Sequence, residues 1–336
     1  MRQRPHTHPR LAGLALGMVA LLAVAACSSA GTSDSRQSLV AYSTPKPVYD
    51  QLTKDFAKTS KGKGVTWRTS YGASGDQSRA VESNLSADYV AFSLQTDMDR
   101  LVKDGKVATS WNQGPTKGMI SDSVVVIVVR KGNPKHIEGW SDLVKPGIKI
   151  VTPDPGSSGS ARWNTMAAYG QVVEGGGSPQ EGEAYLRAFF KNVVASPSSG
   201  REATSTFTSG TGDVLISYEN EAIFARQHDQ AVDYIVPSST LLIENPAAVT
   251  VHAAPAAKAF LAFAQSAAGQ RVFAANGYRP VIDGIHVRVD GANNPTDPFP
   301  QPAKLFTIAD LGGWTQVATK FFDEHDGIVT KIQQAG

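Results

Sequence analysis

The nine residues 154–162 have the sequence DPGSSGSAR, a glycine- and serine-rich turn that runs into the helical pattern of residues 162–169. A short strand pattern at residues 149–151 comes just before it, so the turn joins the end of a strand to the start of a helix. The first N–H groups of a helix have no partner within it and together carry about half a positive charge. Such a turn is typical of an anion site, but serine and glycine also cap helices that bind nothing.

Similar turns occur elsewhere in the chain. Residues 70–77 (SYGASGDQ), 198–201 (SSGR) and 43–45 (STP) each lead into a helical pattern. Ser74, followed three residues later by Gln77, matches a capping box. If these turns meet at one point, their N–H groups and hydroxyls can surround a small anion, and local sequence alone does not decide whether they meet.

The rest of the chain alternates between strand and helix patterns. Strands are predicted at residues 39–42, 65–70, 89–94, 124–129, 149–151, 214–218 and 234–236. Helices are predicted at residues 45–60, 76–85, 162–169, 180–191, 254–267 and 269–276. This alternation indicates an α/β fold with mostly parallel sheets, and the length favours two domains.

The N-terminus has the pattern of a secretory signal over residues 1–26: arginines, an apolar run and then small residues. Cys27 follows Val-Ala-Ala, as in a bacterial lipobox, and residues 27–37 are small and polar, which predicts a lipid-anchored tether. An ordinary signal with a chance cysteine, or a signal anchor, are the alternatives. Cys27 is the only cysteine, so no disulfide can form within the chain.

Charge and motif content exclude several classes of function. Three of the 32 basic residues and no acidic residue lie in residues 1–26, so the remainder has 29 basic and 30 acidic residues, a net charge of −1 that does not favour nucleic acid. Residues 72–76 (GASGD) lack the second glycine of a nucleophile elbow. The histidines form no metal-binding pattern, and we expect no metal, cofactor or catalysis.

Several segments resemble the bacterial sulfate- and thiosulfate-binding protein family. The turn at 154–162 is similar to the family signature Asn-Pro-Lys-Thr-Ser-Gly-Gly-Ala-Arg, and residues 129–135 (VRKGNPK) and 212–221 (GDVLISYENE) match further family segments. Residues 70–81, 305–308 and 312–314 add to the resemblance, which covers about residues 38–336.

The resemblance implies a two-lobe, periplasmic-binding-protein-like α/β fold that closes on its ligand about a hinge. Lobe I is expected to comprise residues 38–118 and 245–300, and lobe II residues 121–240, with crossings near Ser121 and Ser239. Residues 301–336, which include Trp314, are expected to pack on the outside of the lobes.

The resemblance also assigns anion contacts residue by residue. It implies the hydroxyl and N–H of Ser74, the hydroxyl of Ser158, and N–H groups from four further residues. Those four are Ser43, Gly159, Ser160 and Gly200. Tyr218 replaces the family's tryptophan. Arg162 and Arg201 are expected to support the site from behind, bonded to Glu219 or Glu221, and the Asp76 carboxylate to turn away from the anion and cap its own helix.

The expected function is capture of sulfate, or thiosulfate, and its delivery to the permease of an ABC importer by a monomer held on the outer face of the cell membrane through Cys27. A site made of donors suits sulfate, which has no proton to donate at neutral pH. The alternatives are a carrier for molybdate, tungstate or phosphate, a secreted serine hydrolase-like enzyme, and a structural lipoprotein.

Overall fold

The structure is a computed structural model that describes residues 36–335. The predicted signal peptide, the predicted lipidation site Cys27 and nearly all of the predicted tether lie outside the described residues. Among the described residues, no helix is both long and apolar enough to span a membrane.

The described chain alternates strands and helices from one end to the other, which confirms the α/β class. The strands are β1 Arg36–Tyr42, β2 Thr66–Gly72, β3 Tyr89–Ala91, β4 Met119–Arg130, β5 Ile150–Val151, β6 Val193–Ala195, β7 Val214–Tyr218, β8 Val232–Ile235, β9 Ser239–Val249 and β10 Lys304–Phe306. The α-helices are α1 Lys46–Ala57, α2 Ser74–Glu82, α3 Gln95–Lys103, α4 Gly159–Val173, α5 Pro179–Lys191, α6 Gly200–Thr208, α7 Glu219–Gln227, α8 Pro255–Gln265, α9 Ala267–Ala275, α10 Gly313–Phe322 and α11 Ile328–Gln334. A short 3-10 helix covers Trp140–Val144.

The strands hydrogen-bond in the order β2-β1-β3-β9-β4-β7-β5-β6, with β8 also pairing to β4 and β10 to β9. The prediction of mostly parallel sheets is only half right. The outer pairs, such as β1 with β2 and β5 with β6, are parallel, but every pair that joins β4 or β9 to β3, β7, β8 or each other is antiparallel. The sheet is therefore mixed, and the change from parallel to antiparallel pairing occurs at the two long central strands, β4 and β9.

Strands β4 and β9 connect the two halves of the sheet. β9 pairs with β3 through its last residues, while β4 pairs with β7 through residues 125–129. Between these stretches the two strands pair with each other, and Ser121 faces Asn245. The predicted crossing points Ser121 and Ser239 both lie on these strands. Sequence analysis missed β9, whose segment Glu244-Asn245-Pro246 carries residues that strands disfavour.

Separate apolar cores form in the two halves. One contains Tyr49, Phe56 and Phe260 under β1 and β3, and another lies under β4 and β7. The C-terminal segment contributes Trp314 to this second core, with the rings of Trp163 and Trp314 4.6 Å apart, edge to face. Residues 287–292 fall in the range predicted for lobe I, but Val289 and Ala292 pack with Phe207, Ile223 and Tyr234 of the other half, so this stretch belongs to that side.

Candidate anion-binding site

A small cavity lies where the starts of α2, α4 and α6 meet the end of β1, and we call it the inner cavity. Six of the seven predicted contact residues line it: Ser43, Ser74, Ser158, Gly159, Ser160 and Gly200. The other lining residues are Tyr42, Gly72, Ala73, Ser93 and Ser199. Within residues 36–335, no charged side chain lines this space. The turns found in the sequence do converge, and they come from both halves of the sheet.

Backbone N–H groups provide most of the chemistry at the inner cavity. Ser74, Gly159 and Gly200 are the first residues of α2, α4 and α6, so their N–H groups precede any intrahelical bond. Among the described residues, these three groups and the N–H groups of Ser43 and Ser160 find no hydrogen-bond acceptor. Unpaired buried donors are costly, and an anion would satisfy them together with the positive ends of three helices.

Ser158 sits at the N-cap of α4 but does not use its side chain to cap it. Its own N–H donates to the Asp154 carbonyl at 2.8 Å, while its hydroxyl has no partner in the part of the chain that the structure describes. The residue is only 3% exposed. Ser178 and Ser199, by contrast, cap α5 and α6 through their hydroxyls. The Ser158 hydroxyl is therefore free to donate into the cavity.

The capping box predicted for Ser74 and Gln77 is wrong. Ser74 is the first helical residue rather than the cap, and the Gln77 side chain instead accepts from the Ser70 hydroxyl at 2.9 Å. The Ser74 hydroxyl donates to Asp97 Oδ2 at 2.6 Å and accepts from the Ser93 N–H at 2.9 Å. Its proton is thus committed to a buried carboxylate, and we retain only the Ser74 N–H as a donor to a ligand.

Tyr218 stands just behind the wall of the inner cavity. It is fully buried, and its hydroxyl lies 2.6 Å from the Ser93 hydroxyl, which does line the cavity. Burial raises the pKa of Tyr218, although hydrogen bonds with Ser160, Ser93 and Asn245 lower it in part, so the phenol keeps its proton at neutral pH. Tyr218 can therefore donate to a ligand directly or through Ser93.

Ser93 is a lining residue whose polar side chain was not among the predicted contacts. Its carbonyl accepts from Trp163 Nε1 at 2.8 Å and from Asn245 Nδ2 at 3.1 Å, so it links α4 and β9 to the cavity. Its position after β3 is the one available signal, because ligands of α/β proteins collect beyond the carboxyl ends of strands.

Two glycines keep the inner cavity open. A Cβ atom on Gly159 would lie 2.5 Å from Ser93 Oγ and 2.6 Å from Ser93 Cβ. A Cβ atom on Gly200 would lie 2.6 Å from Ser160 Oγ. All three distances are shorter than a real contact, so glycine allows the two helix starts to approach the opposing serines.

The two arginines predicted to support the site lie outside the inner cavity. Arg201 makes a two-pronged ion pair with Glu221, at 2.7 and 3.1 Å, and donates to the Thr44 carbonyl next to Ser43. Arg162 donates to the Pro155 carbonyl at 2.9 Å and so braces the 154–162 turn. The expected bond between Glu221 and Arg201 is confirmed. Glu219 pairs with neither predicted arginine: Arg279 holds it at 2.8 Å.

Asp76, the acid closest in sequence to the site, turns away from it, as expected. Its carboxylate is exposed and pairs with Arg79 at 2.5 Å instead of capping the helix. The five histidines in the described range are all exposed, and none lines the inner cavity. The Ser74 hydroxyl is bonded to Asp97 and, among the described residues, has no imidazole beside it, so the arrangement suits the binding of an anion better than the activation of a nucleophile.

Comparisons with known proteins agree with this chemistry. Residues 38–279 match the family model described as "Bacterial extracellular solute-binding protein". The chain is 38% identical to a sulfate-binding protein of Synechococcus elongatus, covering 97% of this chain and 96% of that one. It is 32% identical to a thiosulfate-binding protein of Pseudomonas aeruginosa, with 93% of each covered.

A solved structure is similar over most of the chain. The sulfate-binding protein SubI from Mycobacterium tuberculosis superposes with a TM-score of 0.80 and is 45% identical, covering 86% of this chain and 99% of that one. The fold is thus the two-lobe fold of periplasmic binding proteins, shared also by a periplasmic thiamin-binding protein at 17% identity and a TM-score of 0.65.

Proposed function

We propose, on the premise that the chain belongs to the bacterial extracellular solute-binding proteins and within them to the sulfate- and thiosulfate-binding family, that it is the sulfate-capturing component of an ABC importer. It is a binding protein and not an enzyme. The observation that carries the proposal is the meeting of five unpaired N–H groups and the unpaired Ser158 hydroxyl around one uncharged cavity.

The donors of the inner cavity explain why sulfate suits it. Backbone N–H groups can only donate, and every oxygen of sulfate can accept. Hydrogen phosphate carries one hydroxyl, which would face a donor there, and an unsatisfied buried polar group costs about 1–3 kcal/mol. Closure around the ligand removes water and strengthens each charge-assisted bond, so no cation is needed in direct contact.

The proposed contacts follow from the same geometry. The N–H groups of Ser43, Ser74, Gly159, Ser160 and Gly200 donate to the anion, together with the Ser158 hydroxyl. Tyr218 donates directly or through Ser93, which is 2.6 Å from it. Arg162 and Arg201 hold the turns that carry these donors.

We also propose boundaries for the two lobes that close on the ligand. We assign residues 38–118 and 245–286 to lobe I, and residues 121–240 with 287–300 to lobe II. The pairing of β4 with β9 supports a hinge near Ser121 and Asn245, because among the described strands only these two run from one half of the sheet into the other. Residues 301–336 pack mainly on lobe II, where Trp314 meets Trp163. We further propose that the protein acts as a monomer.

We also propose that Cys27 carries a lipid that holds the protein on the outer face of the cell membrane, which suits the extracytoplasmic location of the family. Cys27→Ala should stop lipidation and release the protein or leave its signal uncleaved, as fractionation and mass spectrometry would show. Normal signal cleavage with unchanged membrane retention would point to another tether.

Calorimetric titration of the purified protein with a panel of oxyanions tests the proposed function. We expect sulfate to bind with one site per chain and more tightly than molybdate, tungstate or hydrogen phosphate. Thiosulfate is the closest competitor, since a thiosulfate-binding protein is among the relatives. Tightest binding of molybdate or phosphate, or no heat with any of these anions, would refute the assignment.

A further inference from the structure

A second, charged pocket adjoins the inner cavity on the other side of the 156–159 turn, and we call it the outer pocket. Its wall includes Arg79 and Arg100 from one half of the molecule and Arg162 from the other. Ser158 and Gly159 line both spaces, so a single turn of backbone separates them.

The positive charge of the outer pocket is not fully matched by acids. Arg79 pairs with exposed Asp76, and Arg100 contacts Asp97 at 3.1 Å and Glu82 at 3.7 Å. Asp97 is the one carboxylate among the lining residues, and it also accepts from the Ser74 hydroxyl. Arg79 and Arg100 are thus paired with acids, of which Asp97 alone lies on the described wall of the pocket, while Arg162 on the same wall makes no ion pair.

Of the three arginines that line the outer pocket, Arg162 is the one that has no carboxylate partner among the described residues. Within residues 36–335, no carboxylate lies within ion-pair distance of it, and its two terminal amino groups have no hydrogen-bond partner; only its Nε is bonded, to the Pro155 carbonyl. Burial lowers the pKa of Arg162, and Arg100 and Arg79 lower it further against the opposite effect of Asp97. Its open guanidinium edge matches the two-oxygen face of an oxyanion.

We propose that the outer pocket is a second oxyanion site, which collects a small dianion such as sulfate at the mouth of the cleft before the dianion enters the inner cavity. The path between them is short but closed in this structure, because the Gly75 N–H donates across it to the Ser157 carbonyl at 3.1 Å. Opening of the two halves would break that bond and admit the anion. Two dianions so close would repel each other, so the sites are filled in turn.

The inference rests on the proposed function, and its main test is kinetic. Sulfate association with the double variant Arg79→Gln/Arg100→Gln is measured by stopped-flow tryptophan fluorescence, because Trp163 is bonded to Ser93 at the inner cavity. We expect a roughly tenfold slower association at low salt, with the dissociation rate unchanged, since charges near a site mainly change the rate of encounter. The difference should vanish near ~1 M salt, where the screening length is ~3 Å.

The matched control is Arg187→Gln/Arg288→Gln, which removes the same charge from exposed arginines outside both spaces. Association as fast in the pocket variant as in the control, or a change confined to dissociation, would overturn the proposal. Arg162 is left intact, because it also braces the 154–162 turn.

A second readout does not depend on filling the inner cavity. Gly200→Ala obstructs that cavity from the side away from the outer pocket. In this variant, sulfate added at constant ionic strength should still shift the NMR signal of Arg162 Nε, and adding Arg79→Gln/Arg100→Gln should abolish the shift. An unmoved signal would overturn the outer site, whereas absent sulfate binding by the parent protein would count against the proposed function.

Discussion

The inner cavity and the outer pocket lie on the two sides of one turn, yet they offer an anion different kinds of interaction. The inner cavity is lined by hydroxyls and helix N-termini without a charged side chain among the described residues, whereas three arginines line the outer pocket. Neutral donors fixed by the backbone select by hydrogen-bond pattern, while charged side chains attract any anion from a distance. The comparison indicates that capture and selection are separate tasks assigned to adjacent surfaces.

The largest effect should come from Gly159→Ala, which fills the point where the two spaces are closest. Its Cβ would overlap Ser93 Oγ and Cβ, and Ser93 is itself fixed by Trp163 and Asn245. The turn would have to move with its N–H groups, and we expect sulfate affinity to fall by about a hundredfold or more, with a loss of about 1–3 kcal/mol in unfolding free energy. Calorimetry and ligand-free denaturation measure the two separately. Parent-like affinity would show that the N–H groups at 159 and 160 are not contacts.

Ser158→Ala should give the next largest loss of sulfate affinity. It tests whether the inner cavity binds the anion through hydrogen bonds rather than through charge. The hydroxyl is unpaired in the structure, so its loss removes one charge-assisted bond, worth about 1.5–3 kcal/mol or about ten- to a hundredfold in affinity. Ligand-free stability should stay near that of the parent, because no cap bond is lost.

Ser178→Ala is the matched control for that substitution. Ser178 is also a serine N-cap, but its hydroxyl does bond to the Glu181 N–H, far from both spaces. This variant should lose about 1 kcal/mol of stability and no sulfate affinity. If Ser158→Ala behaved like Ser178→Ala in both measurements, Ser158 would be a structural cap and the assigned contact would be wrong.

Tyr218→Phe should have a smaller effect, because Tyr218 stands behind the cavity wall. The change removes the hydroxyl 2.6 Å from Ser93 and leaves the ring in its core position. We expect a two- to tenfold loss of sulfate affinity, corresponding to about 0.5–1.5 kcal/mol for one neutral bond. A loss as large as that of Ser158→Ala would make Tyr218 a direct contact and move the anion toward β7.

The smallest effect should be that of pH on sulfate affinity. Among the described residues that line the inner cavity there is no acid, histidine or cation, and sulfate does not titrate near neutrality, so affinity should be flat between about pH 6 and 8. A steep change in this range would show that a titrating group contacts the anion.

Stability, unlike affinity, should depend on pH through the crossing strands. Burial, together with Glu244 beside it, raises the pKa of Asp122 to about 8 against the opposing effect of Arg279. The folded protein therefore holds a proton that the unfolded chain loses above about pH 4, and the free energy of unfolding should fall as pH rises from there toward 8. Asp122→Asn should reduce this slope in denaturation measurements at pH 5 and pH 8. An unchanged slope would assign it to other buried acids.

The sequence was most informative about the turns and least informative about side-chain partners. Helix starts depend on local residues, so the turns at 70–77, 154–162 and 198–201 could be placed before their convergence was known. The hydroxyl bonds of Ser74 could not, because Asp97 lies 23 residues away on another helix. For the same reason the pairing of Glu219 with Arg279, 60 residues apart, was missed.

In the fold, too, features set by local residues were predicted, whereas features set by distant contacts were missed. Strands with β-branched runs, such as residues 124–129, were found, whereas β9 was missed because its polar residues and Pro246 are tolerated only by the pairing with β3 and β4. Ser93 and the outer pocket depend on contacts between distant segments, which no single-sequence pattern records.

A crystal structure of the complex with sulfate tests the central claim most directly. The account predicts one anion in the inner cavity, within hydrogen-bond distance of the N–H groups of Ser74, Gly159 and Gly200 and of the Ser158 hydroxyl, with every guanidinium beyond direct contact. A sulfate held by the terminal amino groups of Arg162, with the inner cavity empty, would contradict the division between neutral selection and charged capture.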